Sequence, residues 1–94
     1  MRVINKNVWL YFEHYSDSTK ILGFDTASRR YYLERIEFTN RKPVYAVTTQ
    51  EATTYRVGDT IKVVEYDSLE QARTAFNKLK STSRAFNTIE FAAA

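Results

Sequence analysis

From Tyr66 to Lys80 the chain carries the one segment whose periodicity dictates its conformation, and any fold has to be built around it. Leu69, Ala72, Phe76 and Leu79 fall at offsets of zero, three, seven and ten, which places them on one stripe of a 3.6-residue helix. Ser68 followed by Gln71 reads as a capping box, and Asp67 with Glu70 offers the same arrangement one step earlier. Acidic residues open the segment while Lys78 and Lys80 close it, a polarity that suits the helix dipole. Ser81, Thr82 and Ser83 are poor helix formers and mark the stop. A helix with one apolar stripe needs an apolar surface to lie on, so the rest of the chain must supply it.

The remaining sequence reads mostly as strands. Val8 to Glu13 alternates, with Val8, Leu10 and Phe12 on one face and Trp9, Tyr11 and Glu13 on the other. Tyr15 to Thr19 has the composition of a turn, and Lys20 to Phe24 reads as a short returning strand. After a polar break at Asp25 to Ser28, the segment Arg29 to Thr39 is compatible with a strand or with a helix capped at Asp25 or Thr26. Its Tyr, Ile, Phe and Thr content favours the strand, as does the turn signal Asn40-Arg41-Lys42-Pro43 leading into Val44 to Thr49. Thr48 to Thr54 reads as a polar bend between strands. Val57-Gly58-Asp59-Thr60 reads as a tight hairpin in which Gly58 supplies positive φ, setting Tyr55 opposite Lys62 and Arg56 opposite Ile61. Arg84 to Phe91 is able to add a short last strand, and Ala92 to Ala94 reads as a fraying tail.

These elements predict an α+β fold: an antiparallel sheet of about five strands, with strong curvature as an option, covered on one face by a single C-terminal helix and followed by a short last strand. At 94 residues the chain makes one small domain with one core. No apolar run exceeds Val8 to Phe12, too short for a secretory or membrane-spanning segment, so the expectation is a soluble, cytoplasmic protein with no membrane partner.

The residues that carry chemistry are sparse. Without cysteine there is no thiolate metal site or thiol nucleophile, and His14 with neighbours Glu13 and Asp17 does not converge like a closed metal site. His14, Ser16 and Asp17 hold the side-chain types of a hydrolase triad but lie side by side on one turn, without triad geometry. Gly23 and Gly58 are the only glycines, so no phosphate-cradling loop or dinucleotide fingerprint can be assembled, and the glycine-dependent RNA-binding signatures are missing too. The sequence therefore points to a binding domain, with no catalytic residues, metal or cofactor assigned.

Two basic groupings indicate what it binds. Arg29, Arg30, Arg35, Arg41 and Lys42 are set among Tyr31, Tyr32 and Phe38, the combination by which sheet-based proteins stack bases and contact phosphates. Arg73, Lys78, Lys80 and Arg84 follow in a stretch with no acid between Glu70 and Glu90. The expectation is a nucleic-acid partner, single-stranded for preference, on Arg29, Arg30, Tyr31, Arg35, Arg41, Lys42, Lys78 and Arg84. The alternative is a protein-protein interaction module, an inhibitor, adaptor or subunit, that uses Trp9, Tyr11 and a sheet edge.

Overall fold

The helix stripe meets its partner surface in the computed structural model, which describes residues 1–52 and 57–91. The elements run β1 (Arg2–Ile4), α1 (Val8–Tyr11), β2 (Tyr15–Asp25), β3 (Arg29–Phe38), β4 (Val44–Ala52), β5 (Val57–Tyr66), α2 (Leu69–Thr82) and β6 (Phe86–Glu90). The strands form one sheet in the order β1-β5-β4-β3-β2-β6, with every pairing antiparallel. This is the predicted α+β arrangement, with a C-terminal helix on the sheet and a short strand after it. No helix among the described residues is long and apolar enough to cross a membrane.

Ser68 caps α2 by accepting from the Gln71 amide at 3.1 Å, and the Gln71 side chain returns to the Asp67 amide at 3.2 Å. The reciprocal arm thus ties down the residue before the cap. Ala72 and Phe76 are buried on the sheet with Ile21, Phe24, Leu33 and Val47, and Leu69 and Leu79 pack at the margin. Phe24 is the hub of this core, meeting the Phe76 ring edge-on at 5.3 Å and stacking on Tyr31 at 4.8 Å. A bulge between Lys20 and Leu22 turns Ile21 and Leu22 toward the helix together, which adds an apolar side chain to that face.

The other sheet face has its own cover. Ile36, Phe38, Ala46 and Val63 are buried there beneath Ile4, Val8, Tyr11 and Phe12. Val8 to Tyr11 is a helical turn, not the strand its alternation suggested. Val8, Tyr11 and Phe12 also satisfy the i, i+3, i+4 rule, and a short apolar run obeys both periods. Asn7 decides between them by taking a left-handed backbone, φ 50°, which Asn tolerates and which turns the chain down onto the sheet. Trp9 and Leu10 point outward as a result.

Two further expectations are corrected. Tyr15 to Thr19 is part of β2, because β3 is long enough to pair with it and backbone pairing outweighs turn composition. Gly58 lies inside β5 and has no positive φ. A Cβ there would meet Glu51 Cβ at 3.3 Å, so glycine permits the close approach of β4, which runs straight through the expected bend as far as Ala52. Lys62 consequently faces Thr49. Tyr55, Arg56 and the tail from Ala92 lie outside the described residues.

Phe76 is 1% exposed at the centre of the helix core. We predict that Phe76→Ala lowers unfolding free energy by about 3–5 kcal/mol, measured by urea denaturation. A midpoint equal to wild type would show that the stripe does not carry the core.

Candidate functional site

The helix face of the sheet is laid out by strand register. Tyr31, Thr49 and Lys62 form one cross-strand row, Leu33, Val47 and Val64 the next, and Arg35, Tyr45 and Tyr66 a third. Side chains in such a row project to the same side. The helix α2 covers the middle of this face and leaves its β5 side open, producing a cleft of about 650 Å³ between helix and sheet. Its floor is Val47, Thr49, Val64 and Tyr31, and its helix wall is Ala75, Lys78, Leu79 and Thr82. Lys78 and Thr82 are four residues apart and share a face of α2, while Ala75 keeps the wall shallow.

The chemistry of the cleft is cationic and aromatic. Arg29, Lys62 and Lys78 line it, together with the rings of Tyr31 and Tyr66. Among the described residues no carboxylate lies within ion-pair distance of these three cations. Thr49 and Thr82 add hydroxyls. Burial pushes the Tyr66 phenol above its ordinary range, so it stays a neutral donor at physiological pH. Three cations around two rings and a largely apolar floor suit an anion that carries a flat ring system.

The other basic residues singled out in the sequence do not join this cleft. Arg30 points to the opposite face and grips Asp25 through two hydrogen bonds of 2.6 and 3.0 Å, with the Asn87 amide donating to the same carboxylate at 2.9 Å. Arg41 holds Glu65 through bonds of 2.6 and 3.3 Å. Its guanidinium lies 4.1 Å from the Phe38 ring centroid and 5.4 Å from that of Tyr11. Arg35 pairs with Glu37 at 3.0 Å. Lys42 is exposed in the β3–β4 turn, a full strand of roughly 30 Å from Arg29. Arg84 is exposed beyond the end of α2.

Thus Arg29, Tyr31 and Lys78 are brought together, while Arg30 and Arg41 fasten the fold. Of the aromatic pair, Trp9 is 72% exposed, but Tyr11 turns in to meet Phe38 and Phe12 edge-on. The Tyr11 hydroxyl is buried without a hydrogen-bond partner, and burial together with the Glu65 carboxylate drives its phenol far above the usual range.

Lys62, Tyr66, Thr49 and Thr82 were not foreseen. Lys62 and Tyr66 are separated by an even number along β5, which is the signal that could have found them once the strand's register was known. The mistaken Gly-Asp loop placed Lys62 opposite Tyr55 and away from Thr49. Compared with protein-family models, with curated proteins and with solved structures, the chain finds no match. Its activity must therefore be read from the chemistry of the cleft.

Both buried ion pairs carry a pH dependence. The Arg30 hydrogen bonds hold Asp25 below its ordinary value of 3.8, against burial and with help from Asn87. Burial opposes ionisation of Glu65, but the Arg41 hydrogen bonds, the nearby Tyr11 hydroxyl and the Arg2 charge outweigh it, so Glu65 also sits below its ordinary 4.5. A carboxylate depressed in the folded state contributes stability above its unfolded pKa and loses it as pH falls through the folded one. Urea midpoints should hold steady near neutrality and drop as pH falls from about 5 downward. Asp25→Asn should be less stable at pH 7 and show a flatter acid limb.

Proposed function

We propose that this protein is a non-enzymatic binding domain that takes single-stranded nucleic acid in the cleft between α2 and the β3–β4–β5 part of the sheet. The observation that carries the reading is the convergence of Arg29, Lys62 and Lys78, free of carboxylate partners among the described residues, around Tyr31 and Tyr66. Phosphates supply the charge that three cations attract, and bases supply a face for each ring, whatever the sequence. The site rests on paired strands and a capped helix, which limits the reorganisation that binding requires.

A protein partner at Trp9 is the second reading, favoured by one observation. Trp9 and Leu10, 72% and 48% exposed, stand side by side on the outer face of α1. Tryptophan is enriched among residues that dominate protein interfaces.

Fluorescence anisotropy with short single-stranded DNA and RNA tests the first reading. Binding should weaken with salt at a log–log slope of roughly −2, from three cations at about −0.7 each. Lys62→Glu and Lys78→Glu should each cost about tenfold in affinity at low salt. Ala75→Leu changes no charge but fills the cleft, so it should also weaken binding while the thermal transition persists. If charge reversal acts and Ala75→Leu does not, the nucleic acid lies elsewhere on the basic surface. Trp9→Ala should leave oligonucleotide affinity unchanged, and a self-association by sedimentation that this variant alone abolishes would favour the second reading.

A further inference from the structure

Thr49 is a gap in a row of large side chains. The row crosses four strands as Phe24, Tyr31, Thr49 and Lys62, each directly opposite the next. Phe24 and Tyr31 stack with their centroids 4.8 Å apart and 22° between their planes, a separation that matches the spacing of the strands. One face of the Tyr31 ring is thus spent on Phe24, and the other looks away from β2, across Thr49 toward β5. Among the described residues no second ring stacks on it. The Thr49 side chain is short, so the layer that would continue the stack stands empty above it.

The far wall of this layer is built by an irregularity in β5. A register shift beside Thr49 brings Ile61 as well as Lys62 to the cleft, so the wall has an apolar side chain and a cation together. The walls on β3 and β5 stand two strand spacings apart, roughly 9.6 Å, and a flat ring in contact on both faces needs roughly 7–8 Å. Leu79 and Thr82, from the last turns of α2, line the same space from above. Thr49 borders the cleft and yet is only 8% exposed, which describes a narrow slot, not a shallow dish. Tyr66 lies two rows further along β5 and takes no part in it. Lys62 is the cation best placed to meet a phosphate at the mouth: its row holds no carboxylate, whereas Glu51 lies opposite Arg29, and Asp67 and Glu70 share a depression with Lys78.

We infer that this slot takes one unpaired base of a strand, which fills the layer over Thr49 between the open face of Tyr31 and the Ile61–Lys62 wall while its phosphate stays outside at Lys62. This rests on the nucleic-acid reading above and names the part of the strand that the fold grips. A base inside a duplex is stacked on both faces and has to leave the stack before it can enter such a slot. The shared chemistry, one base with its phosphate, belongs to a strand and to a free nucleotide, and the test separates them.

The experiment measures the full chain's affinity for a short strand made only of abasic sites, the same strand with one central base restored, and a nucleoside monophosphate, at about 50 mM salt. The single base should raise affinity about tenfold over the abasic strand, the size of one base stacked on an aromatic ring, and the monophosphate should bind more weakly than the one-base strand. Thr49→Phe puts a ring into the empty layer, so it should erase the difference between the two strands and leave affinity for the abasic strand unchanged. Equal affinity of the wild-type chain for the two strands overturns the slot whether or not that variant folds, and leaves charge-driven binding to nucleic acid standing. Thr49→Phe that keeps its thermal transition and still favours the one-base strand tenfold also overturns it. A monophosphate that binds as tightly as the one-base strand overturns the strand as the source of the base. Binding of none of the three removes both readings.

Discussion

One helix cannot cover six strands, and that mismatch shapes the rest of this molecule. Adjacent strands lie about 4.8 Å apart, so the sheet spans roughly 24 Å between its outer strands, whereas a helix with its side chains is about 10–12 Å across. Something must be left uncovered on the helix face. The helix lies over β4, between β3 and β5, with Phe76 reaching across to Phe24 of β2, and the cleft opens along β5. The uncovered strip holds Lys62, Val64 and Tyr66 on its outer row. Its apolar floor is tolerable because charged and phenolic side chains rim it.

The opposite face solves the same problem with a different device. Four residues of α1 are too few to hold themselves as a helix in isolation. They are held by packing on Ile36 and Phe38 and by Arg41, which connects the turn after β3 to Glu65 in β5 while lying against the rings of Phe38 and Tyr11. A guanidinium suits this position because its edge bonds a carboxylate as its face meets aromatic rings. Arg30 does similar work at the other end of β3, where Asp25 and Asn87 join β2, β3 and β6. Much of the basic surface apparent in the sequence is therefore consumed in fastening strands.

The sequence made the α+β class, the α2 stripe with its cap, and the strand character of β3 and β4 legible, because each rests on a local rule that packing reinforces. Three features escaped for physical reasons. Val8 to Phe12 satisfies strand and helix periods at once, and only the left-handed Asn7 and the apolar patch on a distant strand pair decide between them. Gly58 followed by Asp59 imitates a turn, while the requirement it meets is close approach of a neighbouring strand. β1 is three residues long, too short for any periodic signal. Arg29, Tyr31 and Lys78 could be nominated from composition, but Lys62 and Tyr66 depend on cross-strand register, which a wrong hairpin loop displaces.

Strand alternation also explains why the cluster from Arg29 to Lys42 divides as it does. A two-residue period sends Arg29 and Tyr31 to the helix face and Arg30 and Tyr32 to the other, so neighbours in sequence receive opposite roles. The cations sent to the far face meet carboxylates placed across the strands, at Asp25 and Glu65, and are neutralised there. The helix face has no buried carboxylate at its β5 side, so Arg29, Lys62 and Lys78 keep their charge available. A net charge of +3 spread over 94 residues is weak evidence for an anionic partner. The same surplus sorted by alternation into one cleft, beside two rings, produces a local field that the net charge does not reveal.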